Sequence, residues 1–192
     1  MNKIKMLVAA FGIAMMASFA PAQAVTVGGE ISISGGFVPA GGATLGTATG
    51  IDFLEWNGTS YVSGTSGGSF TVASAFGDFA DFVTPSPFIL GNINDFQFVE
   101  PFAPVVPLWS IGGFSFDLLD VNVAQQSNTT LVLTGHGEIY GNGFERTNGA
   151  WILTGNSFGS TFSWSATTIP EPMSVLLLGL GLLGLGFGRK FA

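Results

Sequence analysis

The chain of 192 residues contains no cysteine. That absence excludes a disulfide framework, a thiolate zinc site and a thiol nucleophile. Histidine is almost as scarce. His136 is the single one, too few for a zinc site built on imidazoles. Positive charge is missing from the middle of the chain. Of the five Lys and Arg residues, Lys3, Lys5, Arg189 and Lys190 lie at the ends, which leaves Arg146 against eleven carboxylates between Glu30 and Glu145. Nucleic-acid binding needs basic patches that neutralise phosphate, so that role is excluded. Anionic lipid is disfavoured for the same reason. An acidic body suits solubility outside the cell, or divalent-cation binding. No fixed-period repeat is present, which rules out a solenoid. Helical spacing of apolar residues is absent except at the two ends.

The ends are distinct from the body. Residues 1–24 carry Lys3 and Lys5, then an apolar run over 6–19, then Ala22-Gln23-Ala24. This is the order of a secretory signal peptide, with a helical apolar segment and cleavage between Ala24 and Val25 by signal peptidase. The other end reads Ile169-Pro170-Glu171-Pro172, an uncharged run over 173–188, then Arg189-Lys190. Pro170 and Pro172 fix their own φ, donate no backbone hydrogen bond and push the residues before them toward extended conformations. They predict an exposed strip that a processing enzyme can grip. The apolar run, as a helix rising ~1.5 Å per residue, spans roughly 24 Å, a little short of the ~30 Å hydrocarbon core. A single short transmembrane helix is the expectation, and Arg189 and Lys190 favour a cytoplasmic end.

The proline motif, the apolar helix and the basic end together resemble the PEP-CTERM sorting tail of exported proteins of Gram-negative bacteria. The resemblance covers residues 169–190. It departs from the usual pattern in having Ile169 where valine is common, and a basic cluster of only two residues. It implies recognition by an exosortase, a membrane transpeptidase that cleaves near Pro170-Glu171-Pro172. It also implies transient anchoring in the membrane, then release to the cell surface or the extracellular matrix of a biofilm.

Between the ends lies an acidic, Gly- and Phe-rich stretch over 25–168, one domain in length. Its period is two. Phe114-Ser115-Phe116-Asp117-Leu118 alternates, as do Phe70-Thr71-Val72 and Phe162-Ser163-Trp164-Ser165-Ala166. After Leu118 the phase flips to Leu119, Val121 and Val123, which predicts a β-bulge or bend. Turn signals stand at Asn57-Gly58, Gly67-Gly68, Gly112-Gly113, Gly141-Asn142-Gly143, Asn148-Gly149 and Gly155-Asn156. From residue 129 to 168 the pattern predicts a four-strand antiparallel meander. The fold class expected is all-β, an antiparallel sandwich or barrel-like domain, with Trp151, Leu153, Phe162 and Trp164 in its core. The stretch over 85–107 holds five prolines and many apolar side chains. It is expected to be a long connection folded over one end of the domain, the alternative being an exposed adhesive surface.

Chemistry-bearing residues are few. His136 and Glu138 share a strand face, which suits a solvated pair better than a metal site. Gly64-Thr65-Ser66-Gly67-Gly68 and Gly155-Asn156-Ser157-Phe158-Gly159 match G-x-S-x-G, but no helix follows either serine as a nucleophile elbow requires. Asp78, Asp81, Asn92, Asn94 and Asp95 offer oxygen ligands of the kind that hold Ca²⁺, without an EF-hand pattern; they equally make turns. Asp52 with Glu55, or Asp117 with Asp120, are conceivable glycosidase pairs, although sequence does not set their separation. Asn57-Gly58-Thr59 and Asn128-Thr129-Thr130 match the glycosylation pattern but are read as turn and strand-edge residues. The leading expectation is therefore a non-enzymatic exported surface or matrix protein without a cofactor. The alternative is a carbohydrate-binding module for extracellular polysaccharide, its platform drawn from Trp56, Tyr61, Trp109 or Tyr140. A hydrolase of matrix polysaccharide is the third reading.

Overall fold

The computed structural model describes residues 25–42, 44–63, 66–83, 89–157 and 161–169, with the backbone alone for 161–165. The expected signal peptide and sorting tail, with Ala24, Pro170, Glu171, Pro172, Arg189 and Lys190, lie outside the described residues. So do the side chains of Phe162 and Trp164. Among the described residues no helix is long and apolar enough to cross a membrane.

The domain is all-β. Its strands are β1 (Gly29–Ala40), β2 (Gly50–Trp56), β3 (Tyr61–Ser63), β4 (Gly68–Gly77), β5 (Gly91–Ile93) and β6 (Phe96–Gln97), then β7 (Val105–Ile111), β8 (Phe114–Leu118), β9 (Asn122–Gln126), β10 (Thr130–Gly141), β11 (Phe144–Asn156) and β12 (Thr161–Thr168). A 3₁₀ turn at Ala80–Phe82 follows β4. Eight strands run in the order β12-β11-β10-β8-β7-β5-β4-β1, and β1 pairs back onto β12, so the sheet closes into an antiparallel barrel. Closure resolves the choice between sandwich and barrel. It also removes the free edges that an open sheet would present. The far half of β1 leaves the ring to pair with β2, which carries β3 and β6 on its flanks.

Alternation fills the barrel. Ile31 and Ile33 of β1, Phe70 of β4, Ile93 of β5, Trp109 of β7, Phe116 of β8, Leu131, Leu133 and Ile139 of β10, and Trp151 and Leu153 of β11 are all buried. Glu30, Ser32 and Ser34, or Thr134, His136 and Glu138, alternate with them. An eight-stranded barrel is narrow enough for side chains to fill it. An apolar interior and a polar outer wall are the reverse of a transmembrane barrel. Trp109 stacks on Phe116 at 5.5 Å and meets Phe70 edge-on at 6.1 Å. Rings of this size need gaps opposite them. Gly91 is the cross-strand partner of Phe70, and a methyl there would clash with the tip of the Phe70 ring.

One mouth of the barrel is plugged by aromatics. Phe114 contacts Phe79, Phe82 and Phe144 at 4.9, 5.9 and 5.7 Å. Both ends of the described chain leave here. The Glu145 amide donates to the Val25 carbonyl (3.0 Å), and the Ile169 amide to the Asn148 carbonyl (2.7 Å).

Several expectations are corrected. Residues 129–168 form three long strands, not four, because Asn148-Gly149 is no turn. Gly149 sits inside β11, paired with Gly137 on one side and Thr168 on the other. The turn expected at Gly141-Asn142-Gly143 is present: φ is 50° at Asn142 and 84° at Gly143, as a two-residue hairpin of the primed type requires. In the described part of the proline-rich stretch Phe96 and Phe98 are buried against the domain, while Ile89, Leu90, Val99 and Val106 are exposed. The stretch is more than a connection, however, since it also contributes β5 to the ring. The bend after Leu118 is present. The amides of Leu119 and Asp120 both donate to the His136 carbonyl, which ends β8 before β9 resumes along β10. Of the new apolar phase, Leu119 and Val123 are exposed, while Val121 is partly buried and packs against the core.

Candidate functional site

The β2–β3 hairpin builds the most distinctive surface. The Asn57 side-chain carbonyl accepts from the amides of Thr59 (3.0 Å) and Ser60 (2.9 Å), and so closes the turn as an Asx motif. This matches the turn role expected for Asn57. The turn sets Trp56 opposite Tyr61 in register. Their rings meet edge-on, with centroids 5.1 Å apart. The Trp56 amide donates to Ser69 Oγ of β4 (2.7 Å), which fixes the hairpin to the outer wall of the barrel. A groove of about 720 Å³ results, lined by Trp56, Gly58, Tyr61, Thr71, Val72 and Leu90. Of the other aromatics expected in a sugar platform, Trp109 is 1 % exposed inside the barrel, so it is removed from that list. Tyr140 lies beneath the Arg146 guanidinium, 4.0 Å from its ring centroid.

Arg146 organises a second cluster. It donates to Asp117 and Glu138, at 2.6 and 2.8 Å, and the Tyr140 hydroxyl donates to Asp117 at 3.0 Å. Asp117 and Glu138 are cross-strand partners on β8 and β10, so two carboxylates face one cation. Hydrogen bonds to Asp117 and Glu138 hold the guanidinium above its ordinary pKa. Burial raises the Tyr140 phenol, and its bond to Asp117 and that residue's charge raise it further. Sequence reasoning missed this cluster. Its one signal was a lone arginine in an acidic domain.

Three of the calcium candidates, Asp78, Asn94 and Asp95, hold backbone. Asp95 accepts from the amides of Phe53 (2.7 Å) and Gly67 (2.8 Å). Asp78 accepts from Gly28 (2.7 Å), and Asn94 donates to the Pro107 carbonyl (2.8 Å). Asp81 lies exposed in the 3₁₀ turn, and Asn92 is exposed on β5. Among the described residues no three His, Cys, Asp or Glu side chains are grouped so as to hold a metal ion. His136 and Glu138 share a face as expected but take different partners. His136 pairs with Asp120, Nδ1 to carboxylate 3.2 Å, and Asp120 also accepts from the His136 amide. Asp52 faces a second groove of about 650 Å³ with Asp95. Burial first, and the Asp95 charge second, push the Asp52 carboxyl above its ordinary value. Both G-x-S-x-G matches fall partly outside the described residues.

These features define an all-β barrel domain that ends directly at a proline motif. A family model described as the PEP-CTERM protein-sorting motif matches residues 168–190. The protein therefore carries a PEP-CTERM sorting motif, which marks it as an exported protein directed to an exosortase and sorted toward the surface. The match begins at Thr168, the last residue of β12, so no spacer separates barrel and motif. No curated protein matches the chain, and no solved structure matches it.

Proposed function

We propose that this protein is a non-enzymatic component of the outer surface or extracellular matrix, displayed as a folded barrel and released by cleavage at its tail. One observation carries the non-enzymatic reading. Three of the candidate carboxylates are tied into structure: Asp117 by Arg146 and Tyr140, Asp95 by two backbone amides, Asp120 by His136. Of the other candidate pair, Asp52 faces the second groove while Glu55, three residues further along β2, is exposed. A catalytic acid or base must reach a substrate proton. Groups that close loops or pair with a half-exposed arginine serve the fold. Residues 1–24 then act as the signal peptide and are removed between Ala24 and Val25. Residues 173–188 hold the chain in the bilayer until the exosortase acts near Pro170-Glu171-Pro172. In this role the protein needs neither metal nor cofactor.

The test is direct. The exported protein is incubated with matrix polysaccharide and new reducing ends are counted. None are expected. Reducing ends that disappear on Asp52→Asn would overturn the reading in favour of a hydrolase.

A further inference from the structure

We propose that the outer-wall groove beside the β2–β3 hairpin binds an uncharged polysaccharide, with Trp56 and Tyr61 as its platform. The inference rests on where the rings lie. Trp109 and Trp151 are 1 % and 3 % exposed, as core residues are, while Trp56 is 37 % exposed. An indole kept on the outer wall, anchored through its own amide to Ser69, is held in place without being buried. Tyr61 lies across Gly36 of β1, where any Cβ would strike its ring. The glycine lets the phenol sit low against the sheet, so Trp56 and Tyr61 form one rigid wall.

The chemistry of that wall is amphipathic. Neither the Trp56 indole N–H nor the Tyr61 hydroxyl has a hydrogen-bond partner among the described residues. At the floor, Thr71 and Ser34 hydroxyls lie 3.4 Å apart. Sugar rings present apolar C–H faces with hydroxyls at the rim. They match a surface that offers aromatic bodies with polar tips. The volume falls in the range of small-ligand sites.

Charge selects among sugars. None of the six lining residues is charged, whereas the domain as a whole carries eleven carboxylates and one arginine. That field repels a polyuronate and leaves a neutral chain unaffected. A second copy of this chain, covering Trp56 and Leu90 through apolar contact, is the competing occupant.

The experiment titrates the purified full chain with a soluble neutral β-glucan, a neutral mannan and an oligouronate, read by calorimetry. At least one neutral polymer binds, and the oligouronate does not. Trp56→Ala lowers that affinity about tenfold, the factor that ~1.4 kcal/mol of lost stacking produces. Trp109→Phe leaves it unchanged. In the wild type, saturation with the neutral polymer shields tryptophan fluorescence from iodide, which needs no variant to fold. Absence of binding to both neutral polymers at millimolar sugar, equal binding of the oligouronate, or unchanged affinity in a folded Trp56→Ala would overturn the proposal. So would a Trp56→Ala effect confined to self-association in sedimentation. Failure here leaves the sorting and matrix reading intact, because that reading is tested by mass and fraction, not by affinity.

Discussion

Replacing Gly91 by alanine sets two known effects against each other, and the barrel decides the sign. Glycine inside a strand costs roughly 0.5–1 kcal/mol relative to alanine, so propensity alone predicts that Gly91→Ala stabilises. The structure predicts the reverse. Gly91 is the cross-strand partner of Phe70, and the three atoms nearest a new methyl all belong to the Phe70 ring. Phe70 is fully buried and edge-on to Trp109, so its ring has nowhere to retreat. Overpacking of this kind costs about 1–3 kcal/mol. The balance is a destabilisation of about 1–2 kcal/mol, which at ~4 °C per kcal/mol for a domain of this size lowers Tm by about 6 °C. Urea unfolding followed by tryptophan fluorescence measures it. The control is Phe70→Leu, which shortens the ring side chain and opens the space. On that background Gly91→Ala becomes neutral or stabilising, a coupling of about 1–2 kcal/mol in the double-mutant cycle. A Gly91→Ala variant as stable as the wild type, or one with the same penalty in both backgrounds, refutes the packing argument.

Arg146→Ala leaves the buried Asp117 carboxylate without its cation, so Tm falls by several degrees, and adding Asp117→Asn recovers most of the loss. Asp95→Ala frees the amides of Phe53 and Gly67 and costs about 1–3 kcal/mol in chemical denaturation. Asp52 titrates above its ordinary pKa, so the folded state favours its protonated form. Its charge therefore costs stability at neutral pH, and that cost disappears as pH falls through the folded pKa. Asp52→Asn should melt slightly higher than the wild type at pH 7, with the gap closing in acid. Deleting residues 173–188 should yield soluble protein that retains the proline motif, detected by fractionation and intact mass.

Local alternation was legible where both faces of a strand differ. Phe114-Ser115-Phe116 declared β8, and the doubled Leu118-Leu119 declared its bend. Barrel closure was not legible, because Ile31 pairs with Ala166 across most of the chain and nothing local marks that contact. Asn148-Gly149 misled for a physical reason. The dipeptide favours a tight turn, but here both neighbouring strands claim its backbone, and tertiary pairing overrides the local preference. β5 was hidden among prolines, since three residues are too few to show a period. The groove was half legible. Trp56 and Tyr61 flank an Asn-Gly turn, so their approach followed from the hairpin. Trp109 carries the same ring but alternates into the barrel. The Arg146 cluster joins strands β8, β10 and β11, and only the fold brings them together.

The central claim is that Pro170-Glu171-Pro172 is a recognition strip that determines processing, separate from the barrel that folds above it. The most direct measurement is the intact mass of the protein in membrane and extracellular fractions of an exosortase-encoding host. Wild type is compared with a variant in which Glu171 and both prolines are replaced. The account predicts wild-type protein outside the cell that starts at Val25 and lacks the apolar segment 173–188. It predicts variant protein with a folded barrel, uncleaved and held in the membrane. A variant trimmed and released like the wild type would contradict the account and reduce the tail to a simple anchor.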